Sequence, residues 1–229
     1  MMEINAQYNV AKSGSLPVKL AAKQRRNMFN VFLRECGLPN PVATILDIGV
    51  TSDKSYEASN YLEKWYPHKN QITAAGIDDA TFLEADYPGM KFVLADACNL
   101  HFADQSFDVV HSSAVIEHVG AFKNQVQMVS ECARVSREFF FITTPNRWFP
   151  VEFHTILPLV HWLPKQTFRR LMEKTGRSFF ADENNLNLMS RQDLLRATEM
   201  ANIGNFDVQL KTVSLGRWPS NLLLIGTRT

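Results

Sequence analysis

Glycine is scarce where it would tell most. The stretch ILDIGVTSD (45–53) runs from an apolar strand into a polar turn, yet its only glycine is Gly49. Turns that cradle the pyrophosphate of a dinucleotide carry two or three. Cysteine is also scarce. Cys36, Cys98 and Cys132 form an odd, widely spaced set without a C-x-x-C pair, so neither a disulfide framework nor a zinc site is indicated, and a reducing cytoplasm is expected. No charge of one sign dominates: 24 Lys and Arg against 23 Asp and Glu leave a net charge of +1. That balance lacks the electrostatic footprint of a nucleic-acid binder, and no nucleic-acid partner is expected. No uninterrupted apolar run is long enough to span a bilayer. The opening MMEINAQYNVAKSG is polar and lacks the apolar core of a signal segment. Repeats and low-complexity tracts are absent.

What is present is a chain of 229 residues, 45% hydrophobic, enough for one domain (1–229) with a real core. Residues 16–37 contain an amphipathic helix, with Leu20, Met28, Val31, Phe32 and Leu33 towards one side. Strands are expected at 43–49, 71–77, 91–96, 106–113 and 137–144, then at 205–213 and 221–228. Helices are expected at 54–66, 122–136 and 190–201. Strands alternating with helices imply a mostly parallel sheet covered on both faces.

Residues 145–180 break the alternation. Pro145, Pro150, Pro158 and Pro164 punctuate them, with Trp148, Phe149, Phe153 and Trp162 between. This reads as an insertion or lid at the carboxyl edge of the sheet, where open parallel sheets bind their ligands.

Each strand end offers polar groups with a plausible task. Asp47 and Gly49 end the first strand, and glycine permits close backbone approach to a ligand. Asp78 ends the second, where a carboxylate accepts both hydroxyls of a ribose. Asp96, followed by Ala97, ends the third, placed to accept the amino protons of an adenine. Ser112 and Ser113 end the fourth and are candidates for a cofactor floor. Asp108 is as readily a tie to a neighbouring loop as a ligand contact. In the first turn Asp53 would meet a phosphate with like charge and Thr51 adds bulk, both unfavourable to a dinucleotide. A nucleoside bearing an ammonium and a sulfonium meets neither obstacle, which describes S-adenosylmethionine.

Here the residues carry a resemblance. The chain resembles class I S-adenosylmethionine-dependent methyltransferases of the small-molecule, type 11-like group over roughly 43–145. FVLADACNLHFADQSFDVVHSSAVIEHV is similar to that family's strand-end acid, short x-x-L-P-F segment, F-D-V-V strand and E-H pair. AGIDD resembles its ribose-binding strand end, and ILDIGVTSD its first motif, usually D-x-G-x-G-x-G. Thr51 and Asp53 replace two of those glycines, His101 replaces the proline, and the step from Gly49 to Asp78 is longer than usual.

The resemblance implies a Rossmann-like seven-stranded sheet, mostly parallel, with the last strand antiparallel beside the fifth. It implies S-adenosylmethionine as cofactor, S-adenosylhomocysteine as product, and cofactor contacts from Asp47, Gly49, Thr51, Asp78, Asp96, Ala97 and Ser113. Methyl transfer needs in-line alignment and, for a hydroxyl acceptor, a base. His118 and His154 are the candidates, and His161 reads as a packed residue. Glu117-His118 resembles half of a metal site, but no third ligand is evident in the sequence, so no metal is expected. The aromatic insertion suggests a small-molecule acceptor that is aromatic, lipid-like or glycan-linked, with oxygen slightly preferred. Lys165, Arg169, Arg170, Lys174 and Arg177 suggest peripheral contact of 148–177 with a membrane, though a solvated helix face is the simpler reading. The competing functions are a methyltransferase-like protein that binds without catalysis and a nicotinamide-dependent oxidoreductase. The altered first motif favours the former, while Asp53 and the missing glycines oppose the latter.

Overall fold

A computed structural model describes residue 11, residues 14–54, residue 56 and residues 58–229. The polar opening 1–10 lies outside them. Seven strands, β1 (Ile45–Ile48), β2 (Ile72–Gly76), β3 (Lys91–Leu94), β4 (Phe107–Ser113), β5 (Ser136–Pro145), β6 (Phe206–Leu215) and β7 (Trp218–Arg228), form one sheet in the order β3-β2-β1-β4-β5-β7-β6. The first five are parallel, and β7 runs antiparallel between β5 and β6. The expected architecture, with NLLLIGTR beside the fifth strand, is the one observed.

Strand periodicity divides the core. Successive side chains point to opposite faces, so Ile45 packs with Met28, Phe29 and Phe32 of α1 (Leu16–Glu35), whereas Leu46 and Ile48 pack with Met128 and Cys132 of α4 (Phe122–Val135). All four residues of β1 are buried, which is why ATILDIG reads as an unbroken apolar run. A third, smaller cluster gathers Phe168 and Met172 of α5 (Lys165–Lys174), Phe180 of α6 (Ser178–Ala181), Leu186 and Leu188. The insertion therefore has a core of its own. α7 (Arg191–Met200) starts on a capping box in which the Ser190 hydroxyl accepts from the Asp193 amide and Asp193 answers to Ser190.

Two expectations need correction. The helix expected over 54–66 is confined to α2 (Tyr61–Trp65). The Asn60 side chain accepts from the Thr51 amide at 2.9 Å and donates to the Thr51 carbonyl at 3.0 Å. A side chain that satisfies backbone groups in this way offers an alternative to helix. The extra length between Gly49 and Asp78 is thus partly a loop pinned at both ends. A short helix, α3 (Phe82–Asp86), was not anticipated. No helix is long and apolar enough to cross a membrane among the described residues.

Candidate active site

The chain reverses its direction of travel across the sheet between β1 and β4, and there the carboxyl ends of the strands open into a groove of about 520 Å³. A crevice at this switch point is the general ligand position of open α/β sheets. Its floor is made by residues without bulk. Gly49 has φ +94°, and a Cβ there would stand 2.1 Å from Val115 Cγ2. A Cβ on Gly76 would stand 2.7 Å from the Val50 carbonyl oxygen. Ala97 is buried beside them. The ribs of the groove are Thr51, Ile77, Asp96, Ser113, His118 and His154, with Arg25 of α1 opposite. Ile77 is 61% exposed, an apolar face beside the acids.

Seven of the nine site residues expected from sequence line this groove: Gly49, Thr51, Asp96, Ala97, Ser113, His118 and His154. Asp78 sits just behind Ile77, half-buried. Its Oδ2 is shielded from solvent and has no hydrogen-bond partner among the described residues. A carboxylate oxygen in that state retains its accepting capacity, which fits a ribose hydroxyl. Asp96 spends Oδ1 on the Cys98 amide at 2.8 Å, fixing the turn after β3.

Asp47 is placed otherwise. It shares the face of Ile45, so its side chain points under the sheet towards α1 and α2 and does not line the groove. Its Oδ1 lies 2.6 Å from Nδ1 of His111, its direct partner across β1 and β4, and Nε2 of His111 meets the Tyr61 hydroxyl at 2.9 Å. Burial raises the Asp47 carboxyl to about 7 and lowers His111 to about 4, while the buried Glu63 beside them is raised well above the usual carboxylate range. This is a polar tie inside the fold. Asp108 is likewise a tie: Oδ2 accepts from the Thr44 amide and hydroxyl, each at 2.8 Å, and Oδ1 pairs with Arg137.

The segment after Asp96 is riveted to α4. Glu131 accepts from the Leu100 amide at 2.8 Å, and Arg134 donates to the carbonyls of Leu100 and Phe102 at 2.9 and 2.8 Å. Ser112 is buried, its hydroxyl donating to the Ile48 carbonyl, so of the two serines only Ser113 reaches the groove.

A second cavity of about 130 Å³ adjoins the first and shares Arg25, Ser113, Ala114 and His154 with it. Met28, Tyr56 and Phe153 supply apolar wall and Asn221 a polar one. Arg25 forms no ion pair with a described residue, and burial lowers its guanidinium from the ordinary value. Sequence reasoning missed Arg25, along with Asn124 and Asn184 at the groove rim. Arg25 falls three residues before Met28, a core-facing position of α1, and that helical spacing was the available signal.

At the junction of the cavities the insertion meets the E-H pair. Nε2 of His118 lies 3.1 Å from Nε2 of His154. Nδ1 of His118 donates to the Asn185 carbonyl at 2.6 Å, and Nδ1 of His154 lies 2.7 Å from Glu152 Oε1. Burial and the neighbouring His154 press His118 down to about 3. Burial alone would lower His154 too, but the Glu152 carboxylate outweighs it and the net shift is upward. His161 is packed, its Nε2 donating to the Phe149 carbonyl at 2.7 Å.

Known proteins share this fold. Residues 46–138 match the family model described as a methyltransferase domain. Among solved structures, the PH0226 protein of Pyrococcus horikoshii OT3 is similar at a TM-score of 0.60 and 13% identity, covering 99% of this chain and 100% of that one. The 1,6-didemethyltoxoflavin-N1-methyltransferase of Burkholderia thailandensis, solved with its substrate and S-adenosylhomocysteine, is similar at 0.58 and 14%, covering 91% and 79%. Magnesium protoporphyrin IX methyltransferase of Synechocystis PCC 6803, with bound S-adenosylhomocysteine, is similar at 0.57 and 13%, covering 97% and 91%. No curated protein matches in sequence. The strand order is that of the class I S-adenosylmethionine-dependent methyltransferase fold, and the matched segment covers β1 to the start of β5.

Proposed function

We propose that the protein methylates a small-molecule hydroxyl. The observation that carries this reading is the groove floored by Gly49, Gly76 and Ala97, with Asp78 Oδ2, which has no hydrogen-bond partner among the described residues, behind it, opening directly onto a second cavity at the histidine pair. Asp78 would take the ribose hydroxyls, Asp96 and Ile77 the adenine, and Gly49, Thr51 and Ser113 the methionine end. Asp47 would act from beneath, through the strand it holds. Arg25 stands between the two cavities, where a carboxylate of the cofactor or an anionic group of the acceptor would meet its guanidinium.

When bound, S-adenosylmethionine supplies a methyl already activated on sulfur, and its transfer leaves a neutral thioether. The chain's task is alignment and desolvation. Met28, Tyr56 and Phe153 would hold the acceptor against the groove. His118 and His154 would receive the hydroxyl proton on Nε2 as the oxygen takes the methyl, and pass it to solvent. The apolar walls favour an aromatic or lipid-like acceptor, and the exposed Trp148, Val151, Leu159 and Leu163 of the insertion favour a membrane surface as its source.

Calorimetric titration with S-adenosylmethionine and S-adenosylhomocysteine, with NAD as control, tests the cofactor site. Both adenosyl ligands should bind and NAD should not. Asp78→Ala and Asp96→Ala should each weaken binding about 10- to 100-fold, the cost of losing hydrogen bonds to a charged group. Transfer of a labelled methyl to hydroxyl and amine panels then tests the acceptor atom. Folded protein that binds no adenosyl ligand would instead point to a binding protein of methyltransferase fold.

A further inference from the structure

The hydrogen bonds around the histidine pair leave one question open. The Asn185 carbonyl only accepts, so Nδ1 of His118 carries a hydrogen. Glu152 Oε1 also accepts the His154 amide at 2.9 Å and Oε2 accepts the Thr155 amide at 2.5 Å. This carboxylate acts as an acceptor throughout, so Nδ1 of His154 carries a hydrogen as well. With Nδ1 engaged on each ring, Nε2 is the nitrogen left to coordinate, and the two Nε2 atoms lie 3.1 Å apart. A third acceptor joins them. Glu117 is wholly buried, and its Oε2 accepts from the Thr144 hydroxyl at 2.9 Å. Its Oε1 has no hydrogen-bond partner among the described residues and stands 3.9 Å from Nε2 of His118.

Two imidazole nitrogens and a carboxylate oxygen converging in a buried place form a donor set suited to a cation. A single proton joins the two nitrogens and leaves Glu117 Oε1 unsatisfied. A cation satisfies all three. We propose that Glu117, His118 and His154 bind one divalent transition-metal ion, of zinc-like preference, at the junction of the two cavities. The ligand atoms lie within 4.8 Å of one another. Two imidazole nitrogens at about 2.1 Å from a shared ion stand roughly 3.0–3.4 Å apart, which matches the observed separation. Two imidazoles and one carboxylate suit zinc and its first-row neighbours and leave coordination positions open. The outer contacts have the form that metal-binding histidines use: each ring is held through Nδ1 by a carbonyl or carboxylate oxygen, and Glu117 is held by a hydroxyl. His118 and His154 both line the groove, so the open positions face the place assigned to the acceptor.

The site deepens the methyltransferase reading and rests on it only for the ion's use. There the ion would bind the acceptor oxygen and favour loss of its proton to solvent, replacing the histidine pair as base. The oxygen lone pair would form the bond to carbon, and the carbon–sulfur bond pair would leave with sulfur.

The test uses untagged full-length protein, stripped with a chelator and desalted. Zn²⁺ is added and counted by mass spectrometry after dialysis, and Co²⁺ is followed by its visible absorption. One equivalent per chain is expected, with a cobalt spectrum of low coordination number. His154→Ala should abolish it, Glu152→Gln should weaken it about 10- to 100-fold, and the exposed-site control His101→Ala should leave it unchanged. Circular dichroism checks each fold, and His118→Gln replaces His154→Ala should the latter not fold. Folded protein that takes up no equivalent, or an equivalent that survives loss of either histidine, overturns the proposal. Titration of the same stripped sample with S-adenosylhomocysteine separates this failure from failure of the methyltransferase reading.

Discussion

At Gly49 two demands coincide. The backbone turns through φ +94°, and Val115 fills the space that a Cβ would enter. Gly49→Ala is therefore expected to cost about 1–3 kcal/mol of stability and, on the proposed function, to weaken S-adenosylhomocysteine binding further, because the turn itself would be the contact. Thermal unfolding and calorimetry read the two effects separately. Asp47 shows how one residue's role depends on parity. It precedes Gly49 by two positions and resembles a cofactor acid, yet the alternation that buries Ile45 against α1 carries Asp47 to the same side, onto His111. Both the strand and the alternation were legible in ILDIG. What was not legible was His111 as its partner, which β4 brings from 64 positions along the chain.

At the scale of elements, the loop before α2 is held by Asn60, and the segment before β4 by Glu131 together with Arg134. Asn60→Ala removes both clasps on Thr51. It should cost about 1–2 kcal/mol and weaken cofactor binding, while leaving the exposed surface of the sheet unchanged. Hydrogen exchange of 51–60 should report the release. Glu131 carries a pH signature. Arg134 above all, and the Leu100 amide after it, hold the Glu131 carboxyl below its ordinary 4.5, against the opposing effect of burial. A depressed carboxylate contributes stability that is present above the unfolded value and is lost as pH falls through the folded one. Denaturant midpoints should thus decline below about pH 4.5, and Glu131→Gln, less stable at pH 7, should decline less. An equal slope in both proteins would exclude this carboxylate as a source of the decline.

On the scale of the whole molecule, the insertion is both wall and surface. Phe153 and His154 face inward to the cavities, while Trp148, Val151, Leu159 and Leu163 remain exposed. Of its basic residues, Arg169 is paired with Glu183 at 2.7 Å and Lys165 donates to Asn187 at 2.6 Å. Arg170, Lys174 and Arg177 are thereby left as the outward charge. If this face touches anionic lipid, co-sedimentation with phosphatidylserine vesicles should exceed that with neutral vesicles and fall with salt. Trp148→Ala should reduce it, with S-adenosylhomocysteine affinity unchanged. Equal partition to both vesicle types would remove the membrane as the acceptor's source.

The sequence by itself determined the strand order class, the placement of Gly49, Asp78 and Asp96 at strand ends, and the insertion after the fifth strand. The strand ends and the insertion follow from local periodicity and from residues close along the chain, as does the mostly parallel sheet, while the antiparallel last strand beside the fifth was implied by the family resemblance. Tertiary structure alone decided which face Asp47 serves, that Arg25 reaches between the cavities, and that His154 meets His118. It also supplied the third acceptor that the E-H pair lacked in the sequence. His154 lies 36 positions beyond His118, and nothing local encodes their distance. The separate core of the insertion places the segment, and the hold of the Asn185 carbonyl and Glu152 on the two Nδ1 atoms turns both Nε2 atoms towards each other.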